Sequence, residues 1–270
     1  MDFKILKPKI EKELYGWEIT SVGVIDRYTY LVAADWDSSE PYYTYEGKKY
    51  KHSTKLLCIE LETNTVWSTV ALLGVRHASC KGGVVNGNKE ALFASYNAKI
   101  FHIDYNKDKF NHEYNIPKSG VSDMKLIGNH FYIAYGPNSI LRRDTPKKWT
   151  LISEKPKEYW EKIGDGGAEA LAGFSENEIY FCGEEGTLWY YDGKEWERIK
   201  GMPKNMNFRY LECSNDGKVY AIDTHLEGVA VGRHNKFEFI AMPEKWPSGN
   251  IIYDATTFNG KIYAARSRLY

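Results

Sequence analysis

The chain has 270 residues, with 36 basic and 36 acidic side chains and hence no formal net charge. That balance supplies no long-range field for nucleic acid or an anionic membrane surface. Aromatic residues make up 15% of the chain, 21 of them tyrosine, which suits half-buried strands and also contact surfaces, where a rigid ring with a polar tip gives area at low entropic cost.

No run of 18 apolar residues occurs, and the opening MDFKILKPKIEKELYG has no apolar signal-peptide core. The four cysteines, Cys58, Cys80, Cys182 and Cys213, are far apart and form no Cys-x-x-Cys pair. They are expected to be buried thiols rather than a disulfide or zinc framework. A soluble, cytoplasmic protein is expected.

In chain order, residues 2–7 (DFKILK) read as a short strand-like segment. Six copies of a four-strand pattern follow. The first has strands over 20–25, 28–34, 55–61 and 65–70, and the second over 78–85, 90–95, 99–104 and 110–115. The third has 123–127, 130–135, 139–143 and 149–152. The fourth is the clearest, with strands over 169–174, 178–182, 187–191 and 196–199, joined by Ser-Glu-Asn, Gly-Glu-Glu-Gly and Asp-Gly-Lys-Glu turns. The fifth has 209–214, 218–222, 228–232 and 236–240, and the sixth has 251–258 and 261–265 and stops at 268–270. A turn followed by an apolar residue and Tyr recurs at Phe131-Tyr132, Ile179-Tyr180, Val219-Tyr220 and Ile262-Tyr263. A period of about 40 to 50 residues is the propeller range. A stacked β-sandwich competes, and it predicts Greek-key crossovers and less self-similarity.

The expected fold is therefore all-β: a single six-bladed β-propeller over 1–270, with blades at 20–70, 78–115, 123–152, 168–200, 209–240 and 251–270 plus 2–7. The last blade is a strand short. Because open sheet edges are avoided, residues 2–7 are expected to supply its outer strand and close the ring. The run Gly186–Trp196 (GTLWYYDGKEW) resembles the blade repeat of β-propellers in general, and the resemblance extends over nearly the whole chain. It implies a fold and no particular function.

The turns on one face are short, whereas the opposite face carries two long links, 35–54 and 153–167. Loops of that length in a compact domain are usually functional or disordered. The first holds Trp36, Tyr42, Tyr43, Tyr45 and Tyr50 beside Asp37, and the second holds Tyr159 and Trp160. Trp246 lies in a third link. Aromatics among charges are what interface hot spots are made of. The same aromatics could equally staple the first loop to its own blade as an extended hairpin.

No nucleophile elbow, phosphate loop, zinc helix or dinucleotide fingerprint is present. Asp104-x-Asn106-x-Asp108 begins like a calcium loop, but Lys109 and Asn115 stand where it needs Gly and an acidic ligand. His102 and His112 flank the same hairpin and could face each other, although two histidines without a third ligand make a poor metal site. No metal and no cofactor are expected. At the starts of inner strands, Arg76, His77, Asp123, Asp165, Glu169, Arg209 and Asp254 could converge on an axial pocket for acid–base chemistry. They could equally pair with one another and with channel water.

Small propellers with no catalytic motif are similar to some bacterial immunity proteins that block a cognate toxin. The analogy implies a non-catalytic module, monomeric alone, that occludes a toxin's active site with its aromatic loops. Two other functions compete: a propeller glycoside hydrolase or lyase using the axial carboxylates, and a lectin-like sugar binder.

Overall fold

The computed structural model describes residues 3–36, 43–50, 53–68, 72–73, 75, 77–95, 98–104, 109–116, 120–136, 139–153, 167–225, 227–242 and 252–266. The chain packs as two compact units, residues 1–129 and 130–270.

The first unit opens with helix α1 (Phe3–Leu14). Leu6, Ile10 and Leu14 recur every four residues, so they share one helix face. That face packs on Val32, Leu57 and Ile59 of the first sheet. Full burial of Leu6 stabilises by about 2 kcal/mol. The Lys9 ammonium donates to the Asn64 carbonyl at 2.9 Å and fixes the middle of the helix. The expected closing strand over residues 2–7 is thus corrected, because residues 3–7 are helical. A six-residue window cannot separate a period of 2 from one of 3.6, and the deciding positions, Ile10 and Leu14, lie beyond it.

The first sheet runs in sequence order through β1 (Trp17–Val24), β2 (Thr29–Trp36), β5 (Ser53–Glu60) and β6 (Thr65–Ser68). Between β2 and β5 stands a small hairpin of β3 (Tyr43–Tyr45) and β4 (Lys48–Tyr50), and β7 (Leu72–Leu73) pairs the start of β5. The second sheet is another meander, of β8 (His77–Val85), β9 (Asn88–Ser95), β10 (Lys99–Asp104) and β11 (Lys109–Asn115). Alternation gives the first sheet two apolar faces. Leu31, Ala33, Leu56 and Cys58 meet Cys80, Ala91, Phe93 and Ile103 of the second sheet, while Val32, Leu57 and Ile59 meet the helix. The adjacent glycines Gly82 and Gly83 leave room for side chains packed directly on the strand. A Cβ would lie 2.4 Å from Ile25 Cγ1 at the first and 2.0 Å from Leu126 Cδ2 at the second.

The third sheet follows as β12 (Val121–Ile127), β13 (His130–Tyr135), β14 (Ser139–Thr145) and β15 (Lys148–Leu151), with the division between units at its first turn. The second unit continues with β16 (Ala168–Ser175), β17 (Glu178–Gly183), β18 (Leu188–Tyr191) and β19 (Trp196–Arg198) as the fourth sheet. The fifth consists of β20 (Phe208–Cys213), β21 (Val219–Asp223), β22 (Gly228–Arg233) and β23 (Lys236–Ala241). A hairpin of β24 (Ile252–Phe258) and β25 (Lys261–Arg266) ends the described chain. The expected third strand of the sixth copy, 268–270, lies outside the described residues. Each four-stranded sheet is a sequential meander with no Greek-key crossover, so the sandwich alternative does not apply.

Short turns join neighbouring sheets. In the first unit Asp26 accepts from Lys89 Nζ at 2.9 Å. In the second, His130 Nδ1 lies 2.7 Å from Glu176 Oε1, and Asn215 and Asn259 exchange two hydrogen bonds. The strongest of these ties is Arg233, which donates through Nε and Nη2 to the two Glu178 oxygens at 2.9 Å each. The Tyr180 hydroxyl donates to Glu178 Oε1 at 2.8 Å and accepts from the His234 N–H at 2.8 Å. Burial alone would raise the Glu178 carboxyl, but hydrogen bonds from Arg233 and Tyr180 outweigh it and hold the group below its usual range.

Candidate functional site

The end of the first sheet where β2 leaves and β5 enters carries the densest aromatic group predicted from sequence. Trp36, the last residue of β2, stands opposite Trp17, the first of β1. Their rings meet edge to face at a centroid distance of 5.4 Å, a favoured geometry for aromatic quadrupoles. Gly16 takes φ +77°, and a Cβ there would come within 3.2 Å of the Trp36 ring. Only glycine suits both conditions.

Charges frame the pair. The Lys55 ammonium sits 5.9 Å from the Trp17 ring centre and donates at 2.8 Å both to the Glu13 carbonyl and to Glu13 Oε2. The Ser68 hydroxyl donates to the same carboxylate oxygen at 2.6 Å. These bonds, led by the one from Lys55, hold the Glu13 carboxyl below its ordinary range. Asp35 and Thr54 pair across β2 and β5, with Thr54 Oγ1 2.6 Å from Asp35 Oδ1. The end of the helix is thereby pinned to the sheet, and Tyr15, which follows it in the turn before β1, is 89% exposed.

The predicted residues fall around this end as follows. Trp36 and Tyr50 are half-buried. Tyr43 and Tyr45 lie on β3, whose turn, Glu46-Gly47, has φ of +47° and +75°, as a two-residue type I′ hairpin requires. Residues 43–50 therefore form a short hairpin in a two-stranded sheet of their own. Asp37, Tyr42, Tyr159, Trp160 and Trp246 lie outside the described residues. Sequence reasoning missed Glu13 and Tyr15, because taking 2–7 as a strand hid helix α1, which carries the first and ends just before the second, and missed Trp17, because the first strand was expected to start at residue 20 and β1 starts at Trp17. The i, i+4, i+8 spacing of Leu6, Ile10 and Leu14 was the available signal.

The predicted axial residues stand on a recurrent irregularity. In β1, β8, β16, β20 and β24 the pairing register shifts near the strand start, at Ile19/Ser21, His77/Ser79, Ala168/Ala170, Phe208/Tyr210 and Ile252/Asp254. Glu169 and Arg209 are themselves the extra residues. Bulges of this kind re-aim a side chain, and Glu169 is half-buried while Arg209 and Asp254 are exposed. The carboxylates of Asp123 and Asp254 accept from the N–H groups of the residues that follow them, Met124 at 2.7 Å and Ala255 at 2.9 Å. Arg76, Asp165 and the side chain of His77 lie outside the described residues.

The other polar candidates resolve plainly. Phe101 pairs with His112 and His102 with Asn111, so adjacent strand positions send the two histidines to opposite faces. The expectation that they face each other is corrected. His112 instead packs edge-on against Phe101 at 5.7 Å. Residues 105–108 of the calcium-like run lie outside the described residues. No group of three metal-ligating side chains occurs among the described residues. The four cysteines are thiols rather than disulfides, three of them buried and Cys213 partly so, and burial pushes the Cys80 thiol up to about 12.

No protein-family profile matches the chain. Over 185 residues it is 32% identical to Immune protein Tsi7 of Pseudomonas aeruginosa, a match covering 66% of this chain and 58% of that protein. The chain thus matches a little over half the length of this curated relative. Among solved structures it is similar to a catalytically inactive virginiamycin B lyase from Staphylococcus aureus with quinupristin, with TM-score 0.63, 12% identity, and coverage of 92% of this chain and 84% of that one. It is also similar to YCF48 bound to D1 peptide, with TM-score 0.61, 13% identity, and coverage of 93% and 75%. At these identities the likeness is one of fold: the chain is an all-β protein of four-stranded antiparallel sheets that resembles β-propellers.

Proposed function

We propose that this chain is a toxin-immunity protein, a non-catalytic binder that acts in the cytoplasm and neutralises a cognate protein toxin by covering its active site. The observation that carries the reading is the 32% identity to Immune protein Tsi7 over 185 residues. The aromatic end of the first sheet supports a contact face there. Trp17, Trp36, Tyr15 and Tyr50 are large rings with low entropic cost of ordering, set on strand and helix ends and framed by Lys55, Glu13 and Asp35. Tyr42, Tyr43 and Tyr45 belong to the same stretch of sequence.

The test starts with capture of partners from the source cell by the tagged chain and by a variant with residues 38–52 replaced by a Gly-Ser linker. The captured partner is then expressed in a host alone and together with the chain. A stoichiometric partner that arrests growth alone, is harmless beside the wild type and is lost from the variant supports function and face together. A harmless partner, or none, overturns the immunity reading. Combined Tyr42→Ala, Tyr43→Ala and Trp160→Ala replacement should weaken partner affinity by several kcal/mol, roughly 2 to 4 by hot-spot magnitudes, with the melting temperature unchanged. Undiminished binding in titration calorimetry would move the face elsewhere.

A further inference from the structure

We infer that Asn86 is a site of spontaneous deamidation. Among the described residues it is the one asparagine or aspartate before a glycine whose side chain nothing holds. This chemistry needs no partner and is independent of the toxin-immunity reading.

A second turn of the same type provides the comparison. Val85 pairs with Asn88 and Phe258 with Lys261, so Asn86-Gly87 joins β8 to β9 and Asn259-Gly260 joins β24 to β25, each as a two-residue loop. The φ values are +49° and +81° in the first and +50° and +67° in the second, the left-handed pair that a type I′ hairpin requires. Both asparagines are exposed. Backbone and solvent access are thus matched, and the side chains differ.

The reaction is an attack within the chain. The Gly87 nitrogen bonds to Asn86 Cγ, its proton leaves with the side-chain nitrogen as ammonia, and a cyclic succinimide forms. Solvent water opens the ring at either carbonyl, giving aspartate or isoaspartate. Glycine permits the approach because it has no Cβ, and holding both atoms in one turn replaces a bimolecular encounter. Closure requires a side chain free to rotate and a glycine N–H able to lose its proton.

Asn259 meets neither requirement. Its Oδ1 accepts from Asn215 Nδ2 at 2.8 Å, and its N–H donates to Asn215 Oδ1 at 3.1 Å. A Cβ on Gly260 would lie 3.4 Å from Asp216 Oδ2, and an anion so close opposes loss of a proton beside it. Aspartate before glycine can close the same ring, and the described cases are held too. Asp192 Oδ1 accepts from the N–H groups of Lys194 and Glu195 at 2.8 Å each. Asp216 accepts from the Lys218 N–H at 3.1 Å and the Tyr220 hydroxyl at 2.7 Å. Asn86 makes no side-chain hydrogen bond among the described residues, and a Cβ on Gly87 would meet nothing within 4 Å. The product carries a new carboxylate, and as isoaspartate a longer backbone, close in sequence to Lys89, whose ammonium ties the second sheet to Asp26 of the first.

The test holds the full chain in mildly alkaline buffer, folded and in urea, and follows the peptides around Asn86 and Asn259 by mass spectrometry. In the folded chain Asn86 should deamidate roughly tenfold or more faster than Asn259, whose two hydrogen bonds must first open. In urea the two rates should converge. Asn215→Ala frees the Asn259 side chain and should raise its rate severalfold, with Asn86 unaffected. Equal rates in the folded chain, or Asn259 reacting first, overturns the inference. So does a difference that persists in urea, which would belong to the local sequence and not to the fold, or an Asn259 rate unmoved by Asn215→Ala.

Discussion

Glu178-Ile179-Tyr180 and Lys261-Ile262-Tyr263 occupy the same place in two copies of one repeat, yet their tyrosines live in opposite surroundings. Tyr180 is wholly buried, with its hydroxyl between Glu178 and the His234 backbone, whereas Tyr263 is 52% exposed. The strand is the same; the neighbours differ. Tyr180 has β16 and β18 beside it and Phe237 and Tyr190 against its ring, while Tyr263 has one flanking strand among the described residues. A repeat motif encodes a strand and its facing, and the adjoining copies decide what that strand is worth energetically.

The contrast can be broken most strongly at Tyr180. Tyr180→Ala removes a buried aromatic ring and should cost about 3 to 5 kcal/mol, read by urea unfolding. Leu6→Ala should follow at about 2 to 4 kcal/mol, since it opens a cavity between the helix and the first sheet. Tyr180→Phe keeps the ring and should cost about 1 kcal/mol, a net hydrogen-bond value. Tyr263→Ala should stay within about 0.5 kcal/mol, as for an exposed position away from special features. A Tyr263→Ala loss comparable with that of Tyr180→Ala would mean that the hairpin is covered in solution.

Acid sharpens the comparison from another side, because the complete sheets are tied by carboxylates. Burial would raise the Asp26 carboxyl, but hydrogen bonds from Lys89 and from the Tyr28 N–H bring it down to about 2. A depressed carboxylate contributes stability that is present above its unfolded value near 3.8 and is lost as pH falls toward 2. Glu178 acts in the same direction below its ordinary value of 4.5. Circular dichroism should therefore show acid unfolding between about pH 4 and 2, with a shallower dependence in Asp26→Asn. An identical profile in that variant would remove the Lys89 tie from the account.

The middle of the chain was legible because its signals are local. Asp-Gly turns at 192–193 and 216–217, Val-Tyr and Ile-Tyr alternation and the closing aromatics placed the strands of the fourth and fifth sheets within one or two residues of their observed bounds. The N-terminal end was not legible, because there the outcome depends on competition between surfaces, whereas the last hairpin was placed within one residue of β24 and β25. Phe3 to Lys7 satisfy a strand pattern, but the apolar face formed by Val32, Leu57 and Ile59 favours a helix that brings Leu6, Ile10 and Leu14 together. The candidate contact face was half legible. Trp36 and Tyr50 belong to a conspicuous stretch of sequence, whereas Trp17 meets Trp36 only through the pairing of β1 with β2. The repeated bulge that sets Glu169 and Arg209 apart leaves no mark in residue type.

Helix α1 also sets an order of events during synthesis. Its twelve residues leave the ribosome ahead of the first sheet, yet a helix of that length is marginal alone in water, and the surface it needs is complete only once Ser68 has been made. For more than fifty residues of elongation the amphipathic segment has no site, so it docks after the first sheet forms instead of seeding it. Chain growth in the N-to-C direction thus makes a helix translated before the first sheet settle after it, and Leu6 a residue whose replacement should speed unfolding more than it slows folding.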